Sequence, residues 1–251
     1  KNPGRDMYVL HLNNTGTSLI ASTFLGTNAN DYGYLIDVDL NNDIYVCGYI
    51  GSSTSFTSTP GLYSISNARC VIHKLNSSLS SIIYKTKFGS TNFIDYSAFK
   101  IDSCQNIYIS GFVSGLNFPV TSDKFQNHAV GDDLYLTVFN ANMLSLKFGS
   151  YFGGTSDEHS DGGLSHFDKN GVLYQGICIN KGHLPTTSGA FQTTFPTIDT
   201  MEYNDAFVKI DFQNFVRTSS SYGPEVKSCP PFTANFNSFT NTGTNTWNFG
   251  D

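Results

Sequence analysis

The chain has 251 residues, of which 39% are hydrophobic and 14% charged, and its formal net charge is −6. It contains no run of Lys and Arg that would attract nucleic acid, and no apolar stretch near the roughly 18 residues of a transmembrane helix. We therefore expect no nucleic-acid partner and no membrane-spanning segment. The many Ser, Thr, Asn and Gly residues, together with 21 Phe and 14 Tyr, favour strands and turns over helices.

Four sequence landmarks recur in the same order along the chain. The first is Asp-x-x-x-x-Ile-Tyr, which ends at Tyr45 and again 63 residues later at Tyr108. A looser version ends at Tyr174, a further 66 residues along. A fixed period of this length indicates one supersecondary unit that is used repeatedly.

The other three landmarks follow the same period. The second is an aromatic or apolar residue with a second aromatic seven residues later, and it comprises Phe56 with Tyr63, Phe118 with Phe125, and Leu184 with Phe191. The third is an acid before an alternating strand, at Asp6, Asp133 and Asp205. The fourth is a Gly turn with an acid soon after it, in Gly26 with Asp31, Gly89 with Asp95, and Gly153 with Asp157 and Asp161. We expect the rings at 63, 125 and 191 to pack between neighbouring units.

Each repeat divides into four strand-like segments. In the best-defined one these are residues 34–39, 44–49, 70–75 and 82–88. Residues 1–33 hold only a third and a fourth strand, units at about 34–97 and 98–162 are complete, and the last unit has a weak fourth strand near 215–222. Four short antiparallel strands per repeat predict the blade of a β-propeller. Residues 1–222 are thus expected to form about three and a half blades, with the remaining blades before Lys1.

The composition changes after Tyr222. Residues 223–231 contain three prolines and are interpreted as a linker. Alternation then resumes at Phe232, and the chain reaches Trp247 near its last residue. Residues 223–251 are therefore predicted to open a separate β-sandwich in which Trp247 anchors the core.

The repeat resembles the SBBP-type bacterial β-propeller repeat. The resemblance rests on residues 102–111, 151–157, 184–192 and 204–210, the last of which contains Asp-Ala-Phe-Val-Lys-Ile. The tail resembles the opening of a PKD domain, because Trp247-Asn-Phe-Gly-Asp251 matches its Trp-x-Phe-Gly-Asp strand. Together the two resemblances imply an all-β chain with a β-propeller of four-stranded antiparallel blades, followed by an immunoglobulin-like (PKD) β-sandwich.

Two segments carry acids at spacings that suggest a metal. Residues 37–43 alternate acids as a calcium loop does, but Asn42 and Gly48 stand where an EF-hand has Gly and Glu, so a hairpin turn is favoured. Residues 157–161 crowd acids beside His159, and His166 or His183 could complete a site. The favoured alternative is that Asp157 or Asp161 caps a turn as Asp31 and Asp95 do. We predict no metal and no cofactor.

Three further features of the sequence are candidate sites. Ser97-x-x-Lys100 matches a nucleophile motif that requires a helix, but the segment alternates as a strand.

Asp199-Thr200-Met201 resembles the acceptor of Bacteroidota O-glycosylation, which makes Thr200 a candidate modification site. Five cysteines leave the disulfide pairing open; Cys229 is expected to pair further along the chain, whereas Cys47 and Cys178 are expected to act as small apolar side chains.

The resemblances imply a large secreted cell-surface protein of Bacteroidota, of the kind that the type IX secretion system often exports. We expect a non-enzymatic structural or adhesive region whose partners are proteins of a surface or secretion assembly, surface glycans, or both. One alternative is a glycan-binding or glycan-degrading propeller, which needs carboxylates or His side chains converging from several blades. Another is a subunit or passenger of a secretion or gliding assembly.

Overall fold

The computed structural model describes residues 4–115, 117–160, 165–168, 171–180, 184–194, 203–212, 216–220 and 223–228, the last two ranges as backbone only. The chain divides into two compact units, residues 1–211 and 212–251. The described residues form antiparallel strands, one short 3-10 turn at Ala141–Met143 and no α-helix. The predicted all-β class with four-stranded antiparallel sheets is confirmed, whereas the domain boundary at residues 222 and 223 stays a prediction.

The strands of the first unit follow the predicted repeat. A partial sheet contains β1 (Met7–Leu12) and β2 (Leu19–Leu25). Sheet I contains β3 (Asp31–Val38), β4 (Ile44–Ile50), β5 (Cys70–Leu75) and β6 (Ile82–Phe88). Sheet II contains β7 (Asp95–Ile101), β8 (Ile107–Ser114), β9 (Asp132–Phe139) and β10 (Leu146–Phe152). Sheet II thus begins three residues before the predicted start at residue 98.

Sheet III departs from this pattern at its first strand. Two short strands, β11 (Glu158–His159) and β12 (Ser165–Phe167), share one side of β13 (Leu173–Asn180), and β14 (Tyr203–Ile210) pairs with the other side. Tyr45, Tyr108 and Tyr174 each occupy the second position of the second strand, as the repeat predicts. Only Tyr45 and Tyr108 are fully buried there.

The second unit corrects two predictions. β15 (Val216–Ser220) pairs with β16 (Gly223–Ser228) in a two-stranded sheet of its own. The expected strand near residues 215–222 is therefore present, but it pairs with β16 instead of extending sheet III, and residues 223–228 of the interpreted linker form a strand. Pro224 is compatible with a strand here because both strands of a two-stranded sheet are edges, where proline is tolerated. The PKD-like residues, including Trp247, lie outside the described residues.

An aspartate closes the turn between the first and second strands of each sheet. The Asp39 carboxylate accepts the backbone N–H groups of Asn41 at 2.9 Å and Asp43 at 3.0 Å. The equivalent acceptors are Asp102, with Cys104 and Asn106 as donors at 2.8 Å, and Asp168, with Val172 as donor at 3.0 Å. Each turn also holds one residue at positive φ, namely Asn42 (64°), Gln105 (62°) and Gly171 (77°). The Asp of the first landmark is therefore a turn-forming residue.

An asparagine closes the turn between the third and fourth strands in the same way. The Asn76 side-chain oxygen accepts the N–H groups of Ser80 at 2.9 Å and Ser81 at 3.1 Å. The equivalent acceptors are Asn13, with Thr17 and Ser18 as donors at 2.8 and 3.2 Å, and Asn140, with Ser145 as donor at 2.7 Å. In sheets I and II, each of the two hairpins is thus closed by one local side chain.

The sheets of the first unit pack in chain order, and their first strands meet. β3 packs against β7, and β7 packs against β12. Lys100 forms a 2.9 Å ion pair with Asp37 across the junction of sheets I and II, and Ser97 bonds to Gln175 of sheet III at 3.1 Å. One continuous cluster of buried apolar side chains spans sheets I and II.

The packing prediction for the second landmark is wrong for two of its three rings. Tyr63 packs on Phe139 with ring centroids 5.4 Å apart, as expected. Phe125 is 61% exposed, and Phe191 is fully exposed. The buried anchors are the residues seven positions earlier, since Phe56 and Phe118 are each only 4% exposed.

Candidate functional site

The acids of residues 37–43 have structural roles in the turn, in an ion pair and in a contact with sheet II. Asp37 contacts Lys100 and the N–H of Ile101 on sheet II, at 2.9 and 2.7 Å. Asp39 forms the turn, and Asp43 pairs with Lys74 at 3.1 Å. Because Asp39 closes the turn between the paired strands β3 and β4, the favoured hairpin interpretation of this segment is confirmed.

Asp39 is also half of a buried ion pair. Its Oδ2 accepts Lys74 Nζ at 3.0 Å and the Tyr45 hydroxyl at 3.1 Å. Burial alone would raise the pKa of Asp39, but the hydrogen bonds from Lys74 and the turn hold it below its usual value. The same contacts raise the pKa of Lys74 despite its burial. The pair therefore stays ionised at neutral pH.

Ser97 and Lys100 lie on strand β7, as their alternation predicts, and do not act together. The Ser97 hydroxyl lies 2.8 Å from that of Ser110, whereas Lys100 is held by Asp37. Ser97 falls within a β-bulge, because the register of β7 on β8 shifts between Tyr96 and Ala98. The Ser-x-x-Lys motif is thus a match by chance.

The structure separates the histidines predicted to join one metal site. His159 pairs with Cys178 on β13, and His166 pairs with Tyr174 at the other end of that strand. Four residues of strand place them about 13 Å apart. His166 stacks on the Tyr174 ring at a centroid distance of 5.2 Å. Asp161 and His183 lie outside the described residues.

The acidic segment instead forms a buried carboxyl pair with a residue of sheet II. Asp133 and Glu158 are 0% and 1% exposed. Asp133 Oδ2 accepts the Gln126 amide at 2.8 Å and the Val130 N–H at 3.0 Å, and Glu158 Oε1 accepts the Gly154 N–H at 3.1 Å. The remaining oxygens, Asp133 Oδ1 and Glu158 Oε2, have no protein donor. Both adjoin Gly153, where any side chain would collide with them.

Burial shifts the titration of this pair. It raises the pKa of Asp133, and it raises that of Glu158 to about 8, with further contributions from the hydrogen bond and charge of Asp133. Two buried carboxylates in contact cannot both be ionised unless a positive charge lies near them. The pair therefore takes up a proton or a cation at neutral pH.

A cleft of about 430 Å³ opens beside this pair, between the ends of β8 and β11. Its lining combines acidic, amide and aromatic side chains and includes Asn92, Phe93, Asp95, Asp132, Glu158 and His159. The Phe93 ring is 38% exposed and contacts the rings of Tyr34 and Tyr49 at centroid distances of 5.4 and 5.6 Å. An exposed ring beside carboxylates and an amide can stack on a sugar face and bond its hydroxyl groups.

In sheet III, the sequence pattern places the acid of the fourth landmark one residue too early, at Asp157 instead of Glu158. Asp31 accepts the N–H of Thr27, four residues earlier, and Glu158 accepts that of Gly154. The structural equivalent of Asp31 is therefore Glu158, while Asp157 accepts the N–H of Asp132 at 3.1 Å. The missed signal is a spacing: Asp6 and Asp31 are 25 residues apart, and so are Asp133 and Glu158.

Two other predicted features have different outcomes. Cys47 and Cys70 are fully buried thiols whose pKa is raised by burial, so Cys47 acts as a small core side chain as expected. Cys178 lies half-buried on β13. The candidate glycosylation site Thr200 and the linker residue Cys229 lie outside the described residues.

No protein-family model matches the chain, and no curated protein matches it. The resemblances to SBBP repeats and to a PKD domain therefore stay predictions. Within the described ranges no helix has the length and hydrophobicity to cross a membrane. In the same ranges no three His, Cys, Asp or Glu side chains form a group that could hold a metal ion.

Proposed function

We propose that the first unit is part of a β-propeller that serves as a structural and interaction module of a secreted bacterial surface protein. The propeller is supported by the stacking of sheets in chain order with their first strands in contact. In a propeller each sheet is a blade, and the innermost strands surround a central axis. Secretion and surface location rest on the resemblance alone.

One observation supports a structural role over catalysis. The acids and amides that repeat in the sequence repeat as turn acceptors, in Asp39, Asp102 and Asp168 and in Asn13, Asn76 and Asn140. A residue type that recurs for hairpin closure in every unit does not indicate one shared active site. Catalysis by a propeller would instead require convergence of unequal residues from several blades.

A structure of the full-length protein tests the architecture. We expect sheets I, II and III to be consecutive blades of a closed ring, with β3, β7 and β12 nearest the axis. An open stack that does not curve into a ring would overturn the propeller.

Binding and turnover tests address the role. The intact protein is screened for binding to purified surface polysaccharides and to outer-membrane proteins, and in parallel for polysaccharide cleavage. Saturable binding without cleavage is expected. Cleavage that survives repurification would favour the enzymatic alternative.

The cleft supports glycan binding as the second candidate. Its exposed Phe93 ring and its Asn92 and Asp132 side chains offer the stacking and hydrogen-bonding groups that sugars use. Phe93→Ala should then weaken glycan binding at least tenfold. Phe24→Ala is the matched control, because Phe24 is 69% exposed on β2 and does not line the cleft. Equal binding by both variants would exclude the cleft as the glycan site.

A further inference from the structure

The Asp133–Glu158 pair contains two buried oxygens that have no hydrogen-bond donor while both carboxyl groups are ionised. Asp133 Oδ1 and Glu158 Oε2 lack a hydrogen-bond donor, although both residues are almost fully buried. Both oxygens adjoin the same face of Gly153. Such oxygens are costly to bury without a partner.

The equivalent pair at the junction before sheet I lacks this deficiency. Asp6 and Asp31 adjoin Gly26 as Asp133 and Glu158 adjoin Gly153. Asp31 is 2% exposed, and each of its oxygens accepts a backbone N–H, one from Gly51 at 3.0 Å and one from Thr27. The Thr27 hydroxyl adds bonds of 3.0 Å to both oxygens. Protein donors therefore satisfy both carboxylate oxygens of Asp31, whereas Glu158 has a single protein donor, the Gly154 N–H.

Negative charge accumulates around the incomplete pair. Asp132 and Asp157 each adjoin a member of it in sequence, and the Asp132 N–H bonds to the Asp157 carboxylate at 3.1 Å. Among the described side chains, the ion pairs to Lys involve only Asp37, Asp39 and Asp43. One shared proton would leave the buried pair with a single negative charge, whereas a divalent cation would neutralise both carboxylates.

We propose that Asp133 and Glu158 bind one divalent cation, with Ca²⁺ the best fit, at the junction of sheets II and III. Carboxylate oxygens are hard ligands, which Ca²⁺ prefers at distances of roughly 2.3–2.6 Å. Glu158 also lines the cleft, which gives solvent access to the site. Two carboxylates make a weak site whose other ligands are water and carbonyl oxygens, so a Kd of about 10⁻⁴–10⁻³ M is expected. The proposal is independent of the proposed function.

Thermal unfolding tests the site after chelator treatment and dialysis. We expect 10 mM CaCl₂ to raise the Tm by roughly 5–10 °C at constant ionic strength. Glu158→Gln and Asp133→Asn should each abolish this shift, because either change removes a ligand. The matched control Asp123→Asn removes an exposed carboxylate and should retain the shift.

A crystal of the unaltered protein soaked in Tb³⁺, which mimics Ca²⁺, provides a readout that does not depend on the variants folding. An anomalous peak within bonding distance of both Asp133 and Glu158 supports the proposal. A soak without a peak there, or a Tm insensitive to Ca²⁺, overturns it. A pair that holds a shared proton instead would show no effect of Ca²⁺, and the protein would lose stability as the pH rises. Loss of that pH dependence in Glu158→Gln would identify the pair as its source.

Discussion

Sheets I and II have the same turns and the same bulge on the first strand, but they compensate a buried charge differently. In sheet I, Asp39 is compensated by Lys74 on the third strand at 3.0 Å. In sheet II, Val138 occupies the position of Lys74, and Asp102 accepts the Asn106 amide at 2.8 Å instead. The repeat thus requires that the turn carboxylate be satisfied, but it does not require a particular partner.

The second landmark makes the same point through packing. Tyr63 of sheet I contacts Phe139 of sheet II, so that ring lies in a junction between two sheets. Its counterpart Phe125 contacts only the Phe152 ring of its own sheet, at 5.1 Å, among the described aromatic contacts. Equivalent sequence positions therefore differ in burial according to the sheet that follows them.

The largest effect should come from the buried anchor of sheet II. Phe118→Ala should destabilise the protein by about 4 kcal/mol, because it leaves a cavity against Tyr135, whose ring lies 4.9 Å away. Phe125→Ala should cost under about 1 kcal/mol, because that ring is mostly exposed. Urea unfolding measures both. Equal costs would contradict the assignment of the anchor.

Converting sheet I to the chemistry of sheet II tests charge compensation. Lys74→Val should cost about 3 kcal/mol, because it leaves Asp39 buried and without its cation. Adding Asp43→Asn supplies the amide that sheet II has at Asn106, so the double variant should be more stable than Lys74→Val alone. Urea unfolding of both variants measures the difference. A further loss in the double variant would show that the two turns are not interchangeable.

His73 gives sheet I a pH dependence that sheet II lacks. His73 is 2% exposed, and burial, aided by the charge of Lys85, lowers its pKa to about 4, whereas Thr137 holds its place in sheet II. Because the folded pKa lies below the unfolded value near 6.5, stability is retained above that pH and lost as the pH falls towards 4. The loss should reach about 3 kcal/mol.

Urea unfolding between pH 7 and 4 measures this loss, and NMR titration of the His73 ring gives its pKa directly. His73→Thr reproduces sheet II and should flatten the pH profile. An unchanged profile in that variant would assign the acid sensitivity to other groups.

The smallest effect concerns the tyrosine hydroxyls that bond to the turn carboxylates. Tyr108→Phe should cost about 2 kcal/mol, because it removes a 2.8 Å bond to the buried Asp102. Tyr45→Phe should cost about 1 kcal/mol, because its bond is 3.1 Å long and Lys74 also bonds Asp39 Oδ2. Thermal unfolding of the two variants compares them, and a larger loss for Tyr45→Phe would reverse this ranking.

The sequence period located the strands well because each turn is determined locally. Predicted strands at residues 44–49, 70–75 and 82–88 match β4, β5 and β6 to within one residue. Asp39 and Asn76 set those hairpins within a few residues of themselves, so a local pattern contains the information. The first strand was placed less well because its start depends on Asp31, which bonds across to Gly51.

No local pattern predicts the carboxyl pair, and only the repeated 25-residue spacing points to it. Asp133 and Glu158 lie 25 residues apart and meet only because sheet III packs on sheet II. The acidic cluster at residues 157–161 suggests a metal site with His159 and His166, yet these two residues pair with opposite ends of β13. Spacing within a segment identifies turns, whereas a site between sheets depends on their packing.

The two hairpins of each sheet also suggest an order of folding. β3–β4 and β5–β6 are each closed by a short turn, whereas residues 51–69 must form a loop before β4 can pair with β5. Loop closure costs more entropy as the loop lengthens, so we expect the hairpins to form first and to join second. Closure of the loop between the second and third strands would then be the slow step in the folding of each sheet. Inserting residues into this loop should therefore slow folding more than it lowers the free energy of unfolding.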